Sequence, residues 1–150
     1  MVPSFWKLCQ GDDHFAVQDI YESIHDHLVY VHKDAGPVGR EQYRQGEHFA
    51  QAPIGDYFYL SHGLHGIYLL GQFTGPANVF SKRRGGWLDR PFRVIRFANK
   101  VEDYAGDEGI WAPQQESGFQ RIPERLLPHF EEQILRPYFD LSLTEFDVRV

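Results

Sequence analysis

The sequence contains very little cysteine: Cys9 is the single one among 150 residues. This excludes an internal disulfide bond and any zinc site built on cysteines. There is also no run of about 18 apolar residues, the length that a membrane-spanning helix needs. The first residues, MVPSFWKLCQGDD, lack the basic segment and the long apolar segment of a signal peptide. We therefore expect a cytoplasmic protein with no membrane span.

Motifs of the common enzyme classes are missing as well. No G-x-S-x-G nucleophile elbow occurs, and no G-x-G-x-x-G segment joins a predicted strand to a predicted helix. Cys9 ends an apolar segment and is expected to be a small buried residue. Ser61 and His62 are neighbours on a predicted strand, where neighbours point to opposite faces and so do not form a catalytic pair. We expect a binding domain with no catalytic residue and no cofactor.

Repeats, low-complexity tracts and linkers are absent too, so residues 1–150 are predicted to form a single domain. The predicted strands are 4–8, 27–33, 55–61, 66–74, 91–101 and 140–150. The predicted helices are 11–25, capped by Asp12 or Asp13, and a final helix that begins at Pro128 and ends at Pro137, whereas 34–54, 75–90 and 102–122 are predicted loops. This order predicts an α+β fold, namely a small, mixed, partly closed β-barrel of about six strands with flanking helices.

Charge is distributed unevenly along the chain. The net charge is −6, which argues against indiscriminate binding of polyanions. Residues 82–100, however, carry seven basic residues against one acidic residue, and Trp87 lies among them. Such a segment is typical of a local contact with phosphates. The alternative is a solvated strand surface with alternating arginines.

A polar break separates the two strongest predicted strands. The segment GDYFYLSHGLHGIYLLGQFTG, residues 55–75, is rich in large apolar side chains, yet its centre carries Ser61, His62 and Gly63. A flat ligand needs aromatic faces for stacking and polar groups at its edge. We therefore expect this junction to form the floor of a pocket for a planar ligand such as a nucleobase. Further rings are expected at the end of the preceding strand and in the long loop: His32, Tyr43, His48 and Phe49. The alternative is that the loop rings only pin the loop to the barrel.

Eight histidines raise the alternative of a metal site. His62 and His65 are close enough along the chain to chelate one ion, but the sequence places no third ligand beside them. We therefore expect no bound metal, and a metal-dependent enzyme using these two histidines is kept as an alternative. A protein-interaction module without nucleic-acid binding is a further alternative.

Five short motifs follow one another in order: FWKLCQ, VYVHKD, QYRQGEHF, IGDYFYLSHG and GIYLLGQF. This order resembles that of the EVE domains of the PUA-like superfamily and, more distantly, that of the YTH domains. In the resemblance Gln10 takes the place of a serine and His32 that of a tryptophan, while Tyr43 and His62 match residues of the family. Trp87 lies in a position similar to that of a cage tryptophan in YTH relatives.

The resemblance implies a function. The chain is similar to the N-terminal recognition domains of modification-dependent restriction systems with an AAA+ GTPase, which are understood to flip a modified base out of DNA. It thus implies DNA with a methylated or hydroxymethylated base as the ligand. An AAA+ GTPase module and a nuclease subunit are the implied partners. An RNA modified-base reader or a small-nucleotide sensor on the same fold is the alternative.

Two groups of residues are expected to carry this function. The base-pocket residues are Gln10, His32, Tyr43, Phe49, Ser61, His62, Gly63 and Trp87. The phosphate-binding residues are Arg44, Lys82, Arg83, Arg84 and Arg90. The first group supplies rings and hydrogen-bonding groups for the base, and the second supplies positive charge for the flanking phosphates.

Overall fold

The computed structural model describes residues 3–34, 45–79, 81, 83 and 85–146. Within these residues the strands are β1 (Phe5–Cys9), β2 (Leu28–His32), β3 (Tyr57–His62), β4 (Gly66–Phe73), β5 (Trp87–Phe97) and β6 (Gly118–Arg121). The helices are α1 (Val17–Asp26), α2 (Gln45–Gln51) and α3 (Leu127–Phe130), and α3 continues as a π-helical segment over Glu131–Phe139. Short 3₁₀ turns cover Gly109–Trp111, Glu124–Leu126 and Leu143–Phe146.

The strands form one mixed sheet in the order β2-β5-β4-β3-β1-β6. Only β1 and β3 run parallel, and the other neighbouring pairs are antiparallel. The sheet curls so that α2 contacts both of its edge strands, β2 and β6. This arrangement is a nearly closed barrel, so the predicted α+β barrel of about six strands is confirmed.

Helix α2 closes the barrel because its first residues fit between the two edge strands. The side-chain Oε1 of Gln45 accepts a hydrogen bond of 2.7 Å from the backbone N–H of Phe119 in β6. A Cβ atom on Gly46 would lie 2.6 Å from the carbonyl oxygen of Lys33, just past β2. Only a residue without a side chain permits this close approach.

The high aromatic content is explained by two cores, one on each face of the sheet. Alternation along β3 sends Phe58 into the barrel, where it stacks on Phe73 at a ring-centroid distance of 4.9 Å. Its neighbour Tyr59 points outward and packs against Phe130 of α3 at 5.9 Å. Each such ring contributes roughly 1.5–3 kcal/mol by leaving water. The C-terminal helical segment therefore covers the outside of the barrel.

The start of α1 differs from the prediction. The residue before the helix is Ala16, and its backbone N–H donates to the Asp19 carboxylate at 2.8 Å, which is half of a capping box. Asp12 and Asp13, which were expected to cap the helix, bond elsewhere. The Gly11 carbonyl accepts the backbone N–H groups of His14 and Phe15, which turns the chain before the helix begins, and a Cβ atom at Gly11 would clash with the backbone of residues 115–117.

The C-terminal third also differs from the prediction. The sixth strand is β6, within a segment expected to be a loop, because it pairs with the free edge of β1. Residues 140–146 of the predicted strand 140–150 contain a 3₁₀ turn instead, since Leu141, Leu143 and Phe146 all pack into the outer core, and residues 147–150 lie outside the described residues. Pro137 lies inside the π-helical segment, whose wider turn accommodates a residue without an N–H.

The predicted loop 34–54 contains helix α2. Among the described residues, no helix combines the length and apolar character needed to cross a bilayer.

Candidate ligand pocket at the barrel mouth

A pocket of about 230 Å³ opens at one end of the barrel, where β1 and β2 end and β5 and β6 begin. The described residues that line it are Asp13, His14, Val31, His32, Asp34, Trp87, Ser117 and Gly118. Three of them carry aromatic rings. Two other pockets of about 240 and 260 Å³ have one ring each among their described residues, Phe119 and Tyr30. The pocket at the barrel mouth is therefore the better site for a flat ligand.

Trp87 forms the central aromatic wall of the pocket. The first residue of β5, Trp87, pairs with His32, the last residue of β2, so the ladder register places their side chains together. The rings of His14, Phe15 and His32 all meet Trp87 edge-on, at centroid distances of 5.1, 5.1 and 5.2 Å. Such T-shaped contacts hold the indole in one orientation.

The imidazole of His32 offers a ligand its ring and no hydrogen-bonding group, because both ring nitrogens bond to the backbone. Its Nδ1 accepts from the backbone N–H of Asp34 at 3.1 Å, so Nε2 carries the proton and donates to the Gly85 carbonyl at 2.7 Å. Gly86 permits this approach, because its φ is 87° and a Cβ there would lie 3.1 Å from Nε2. With both nitrogens engaged, His32 presents carbon edges and a face to the pocket.

Two carboxylates form the polar side of the pocket. Asp13 accepts hydrogen bonds from the backbone N–H and the hydroxyl of Ser117, with the hydroxyl bond at 2.9 Å. Asp34 is exposed and follows β2 directly. A carboxylate accepts and does not donate, so this side of the pocket suits a ligand with N–H groups on its edge.

Arg83 supplies positive charge behind the aromatic wall. Its guanidinium lies 4.0 Å from the ring centre of Phe15 and 5.3 Å from that of Trp87. It donates to the carbonyl of His14 and lies 3.9 Å from the Asp19 carboxylate. These contacts brace the wall. Lys33, which follows β2, is exposed beside the same opening.

The structure brings two of the predicted base-pocket residues, His32 and Trp87, to this pocket. The predicted floor, Ser61 to Gly63, lies at the same end of the barrel, but among the described residues it does not line the pocket. The chain segment 11–15 lies between the pocket and the Ser61–Gly63 turn, since it contributes residues to the pocket lining and the Phe15 carbonyl accepts a hydrogen bond from the His62 imidazole. Asp13 and His14 of this segment face the pocket, whereas Asp12 faces the junction.

Three other predicted residues are buried and stabilise the barrel. Gln10 bonds through its amide to the Ser23 hydroxyl and to the backbone N–H of Tyr30. Phe49 lies in the barrel core. Arg90 is 1% exposed, and its guanidinium donates to the carbonyls of Gly75 and Phe49. Burial lowers the pKa of Arg90, and its place is inside the fold, out of reach of a phosphate. Four predicted residues lie outside the described residues: Tyr43, Arg44, Lys82 and Arg84.

Several pocket residues were missed from the sequence. Asp13 and His14 lie four and five residues after the end of β1, and polar residues near a strand end are a signal for a site, but the sequence pattern favours Asp13 as a helix cap. Asp34 follows β2 in the same way. Ser117 and Gly118 carry no such signal, because they reach the pocket only through the pairing of β6 with β1.

We compared the chain with known proteins. It matches no protein-family model and no curated protein. The assignment of a function therefore depends on the geometry of the pocket.

Proposed function

We propose that this chain binds DNA that contains a methylated or hydroxymethylated base, and that the pocket at the barrel mouth takes up the flipped base. The observation that carries the proposal is the set of three aromatic rings and two carboxylates around one opening of about 230 Å³. Pockets for drug-sized ligands measure about 300–1,000 Å³. The smaller opening suits one ring system better than an extended molecule.

The energetics of base flipping are compatible with this pocket. Extruding a base costs a few kcal/mol, and stacking on an aromatic face returns about 1–3 kcal/mol. A methyl group adds about 0.8 kcal/mol when its surface leaves water. The modification therefore supplies a useful part of the affinity, and the net charge of −6 keeps binding to unmodified duplex weak.

The carboxylates favour a base with an exocyclic amino group. Asp13 and Asp34 accept hydrogen bonds, and adenine and cytosine offer amino hydrogens on the edge that a flipped base exposes. An amino nitrogen with one methyl group still keeps one N–H. Methylated adenine and methylated cytosine are thus the ligand class that these acceptors fit.

The proposal extends to the surroundings of the site. Lys33, an exposed residue between the lining residues His32 and Asp34, supplies positive charge for the phosphates on either side of the base, and Arg83 adds to this charge from behind the aromatic wall. The resemblance of the motif order to EVE domains supports the same ligand class. In this proposal the chain is a recognition module in the cytoplasm, and cleavage belongs to a nuclease subunit coupled to an AAA+ GTPase module.

The test is the binding of short fluorescent duplexes that differ in one modified base, measured by anisotropy at several salt concentrations. We expect tighter binding to one modified duplex than to the plain duplex. Trp87→Ala should weaken that binding about tenfold or more, because one stacking face is lost. Phe97→Ala at the far end of the same strand is the matched control and should leave affinity unchanged, since Phe97 lies outside the pocket.

Trp87 is mostly buried, so Trp87→Ala also tests the stability of the fold. A second variant at an exposed position tests binding alone. Asp34→Asn changes an exposed residue and should also weaken binding to the preferred duplex. Equal affinity of the wild-type chain for modified and plain duplexes would refute the proposal. Stronger competition by single-stranded RNA of matched length would favour the RNA reader instead.

A further inference from the structure

Three potential metal ligands lie on the side of segment 11–15 that faces away from the base pocket. Asp12, His62 and His65 each offer one ligand atom, and these atoms lie within 4.8 Å of one another. We propose that these three side chains bind one divalent transition-metal ion, with Zn²⁺ as the representative of the class. The proposal concerns a site separate from the base pocket and does not rest on the proposed function.

The spacing of the ligand atoms fits such an ion. Asp12 Oδ1 lies 2.8 Å from His65 Nε2 and 3.5 Å from His62 Nε2. Ligand atoms bound tetrahedrally to zinc at about 2.0–2.2 Å lie roughly 3.3 Å apart, close to the two Asp12 distances, and rotation of the exposed His65 can bring the third pair of atoms, now within 4.8 Å, to the same spacing. Two imidazoles and one carboxylate leave a fourth position for water. Mg²⁺ and Ca²⁺ prefer oxygen ligands and should not compete.

His62 is a buried imidazole that the fold does not fully satisfy. Its side chain is 2% exposed, and its Nε2 donates a hydrogen bond of 2.7 Å to the Phe15 carbonyl oxygen. Its Nδ1 has no hydrogen-bond partner among the described residues. Since no described group donates to Nδ1, nothing there holds the ring proton on Nε2, and the proton can move to Nδ1. An ion bound at Nε2 would replace the bond to Phe15 and move the ring proton to Nδ1.

The turn after β3 is shaped around the Asp12 carboxylate. Gly63 has a φ of 48°, and a Cβ atom there would lie 2.4 Å from Asp12 Oδ2. Leu64 donates its backbone N–H to the same oxygen at 3.3 Å. This contact orients the carboxylate and directs Oδ1 toward the histidines, as second-shell bonds do for metal ligands. Any side chain at position 63 would prevent the approach.

Access and charge also favour a cation here. His65 has a side chain that is 59% exposed, so it can rotate from its stacked position on His62 and admit an ion from solvent. A second carboxyl group, on Asp103, lies near enough to interact electrostatically with His65 and Asp12.

Calorimetric titration of the full chain with ZnCl₂, after removal of metal with EDTA, tests the proposal. We expect one Zn²⁺ per chain and no heat of binding with Mg²⁺. Excess Zn²⁺ should raise the melting temperature by roughly 5 °C, because an ion that binds only the folded chain stabilises it. His65→Ala and Asp12→Asn should each weaken the affinity at least tenfold.

The matched control is His129→Ala. His129 is also an exposed histidine next to a carboxylate, 3.0 Å from Glu108, and it lies on α3 away from the cluster. This variant should bind Zn²⁺ like the wild-type chain. Melting curves in EDTA establish that all three variants are folded. Absence of a one-site isotherm, or an equal loss of affinity in His129→Ala and His65→Ala, would overturn the proposal.

Discussion

The barrel mouth uses histidine in two ways, on the two sides of segment 11–15. On the pocket side, both ring nitrogens of His32 bond to backbone groups, so its ring is an aromatic wall. On the junction side, His62 keeps one nitrogen without a partner among the described residues, and His65 directs Nε2 at a carboxylate. The available hydrogen-bond partners therefore decide whether a histidine offers a face or a ligand atom.

Glycine places the partners in both regions. Beside the pocket, Gly85 and Gly86 bring a carbonyl oxygen to the His32 ring. At the junction, Gly63 brings a carboxylate to two imidazoles. Both nitrogens of His32 bond to backbone groups alone, whereas Nε2 of His62 donates to the Phe15 carbonyl and also lies 3.5 Å from the Asp12 carboxylate that His65 contacts.

The largest expected effect comes from Gly63→Ala, which displaces Asp12 from His62 and His65 and leaves the base pocket unchanged. We expect a loss of about 2–3 kcal/mol in the free energy of unfolding, because alanine is strained at positive φ and its Cβ displaces Asp12. Zn²⁺ binding should be lost with it. Urea denaturation and calorimetry measure the two effects.

Substitutions at two other glycines separate the effect of backbone strain from the effect of the Cβ contact with Asp12. Gly55 has a φ of 100° and open space around a Cβ atom, so Gly55→Ala should show the backbone strain alone, about 1 kcal/mol. Gly109 has neither a positive φ nor a contact, and Gly109→Ala should change stability by less than about 0.5 kcal/mol. Equal stability of Gly63→Ala and Gly109→Ala would contradict the account of the junction.

A smaller effect is expected when His32 or His65 is replaced by phenylalanine, which keeps a ring and removes both ring nitrogens. His32→Phe keeps a ring and should leave affinity for the preferred modified duplex within about threefold, whereas His32→Ala should weaken it about tenfold. His65→Phe removes a ligand atom and should abolish Zn²⁺ binding while leaving DNA binding intact. Anisotropy and calorimetry on the same preparations provide both readouts. If His32→Phe binds DNA as weakly as His32→Ala, His32 acts through its nitrogens, which contradicts its role as an aromatic wall of the pocket.

The barrel could be predicted because its long strands carry their own signals. The apolar, aromatic-rich runs of β3 and β4 and the helical spacing in α1 are local patterns, and they predict both strands to within two residues and the end of α1 to within one, although α1 begins six residues later than predicted. The four residues of β6 have no comparable pattern and become a strand by pairing with β1. Helix α2 depends in the same way on the fit of Gly46 against Lys33.

The pocket was predicted only in part, for a related reason. His32 and Trp87 lie at strand ends, and the ladder register brings them together. The junction at Ser61 to Gly63 also lies at a strand end, and its separation from the pocket depends on the course of segment 11–15 in three dimensions. Asp12, the third ligand of the junction, was not found because its approach depends on the conformation of Gly63.

Base flipping itself can be observed with 2-aminopurine placed next to the modified base in the preferred duplex. Emission of 2-aminopurine rises when its neighbour leaves the stack. We predict such a rise when the wild-type chain binds, with little change on addition of Trp87→Ala at the same concentration. A complex that forms with full affinity and leaves the emission unchanged would contradict the claim that the barrel mouth holds an extruded base.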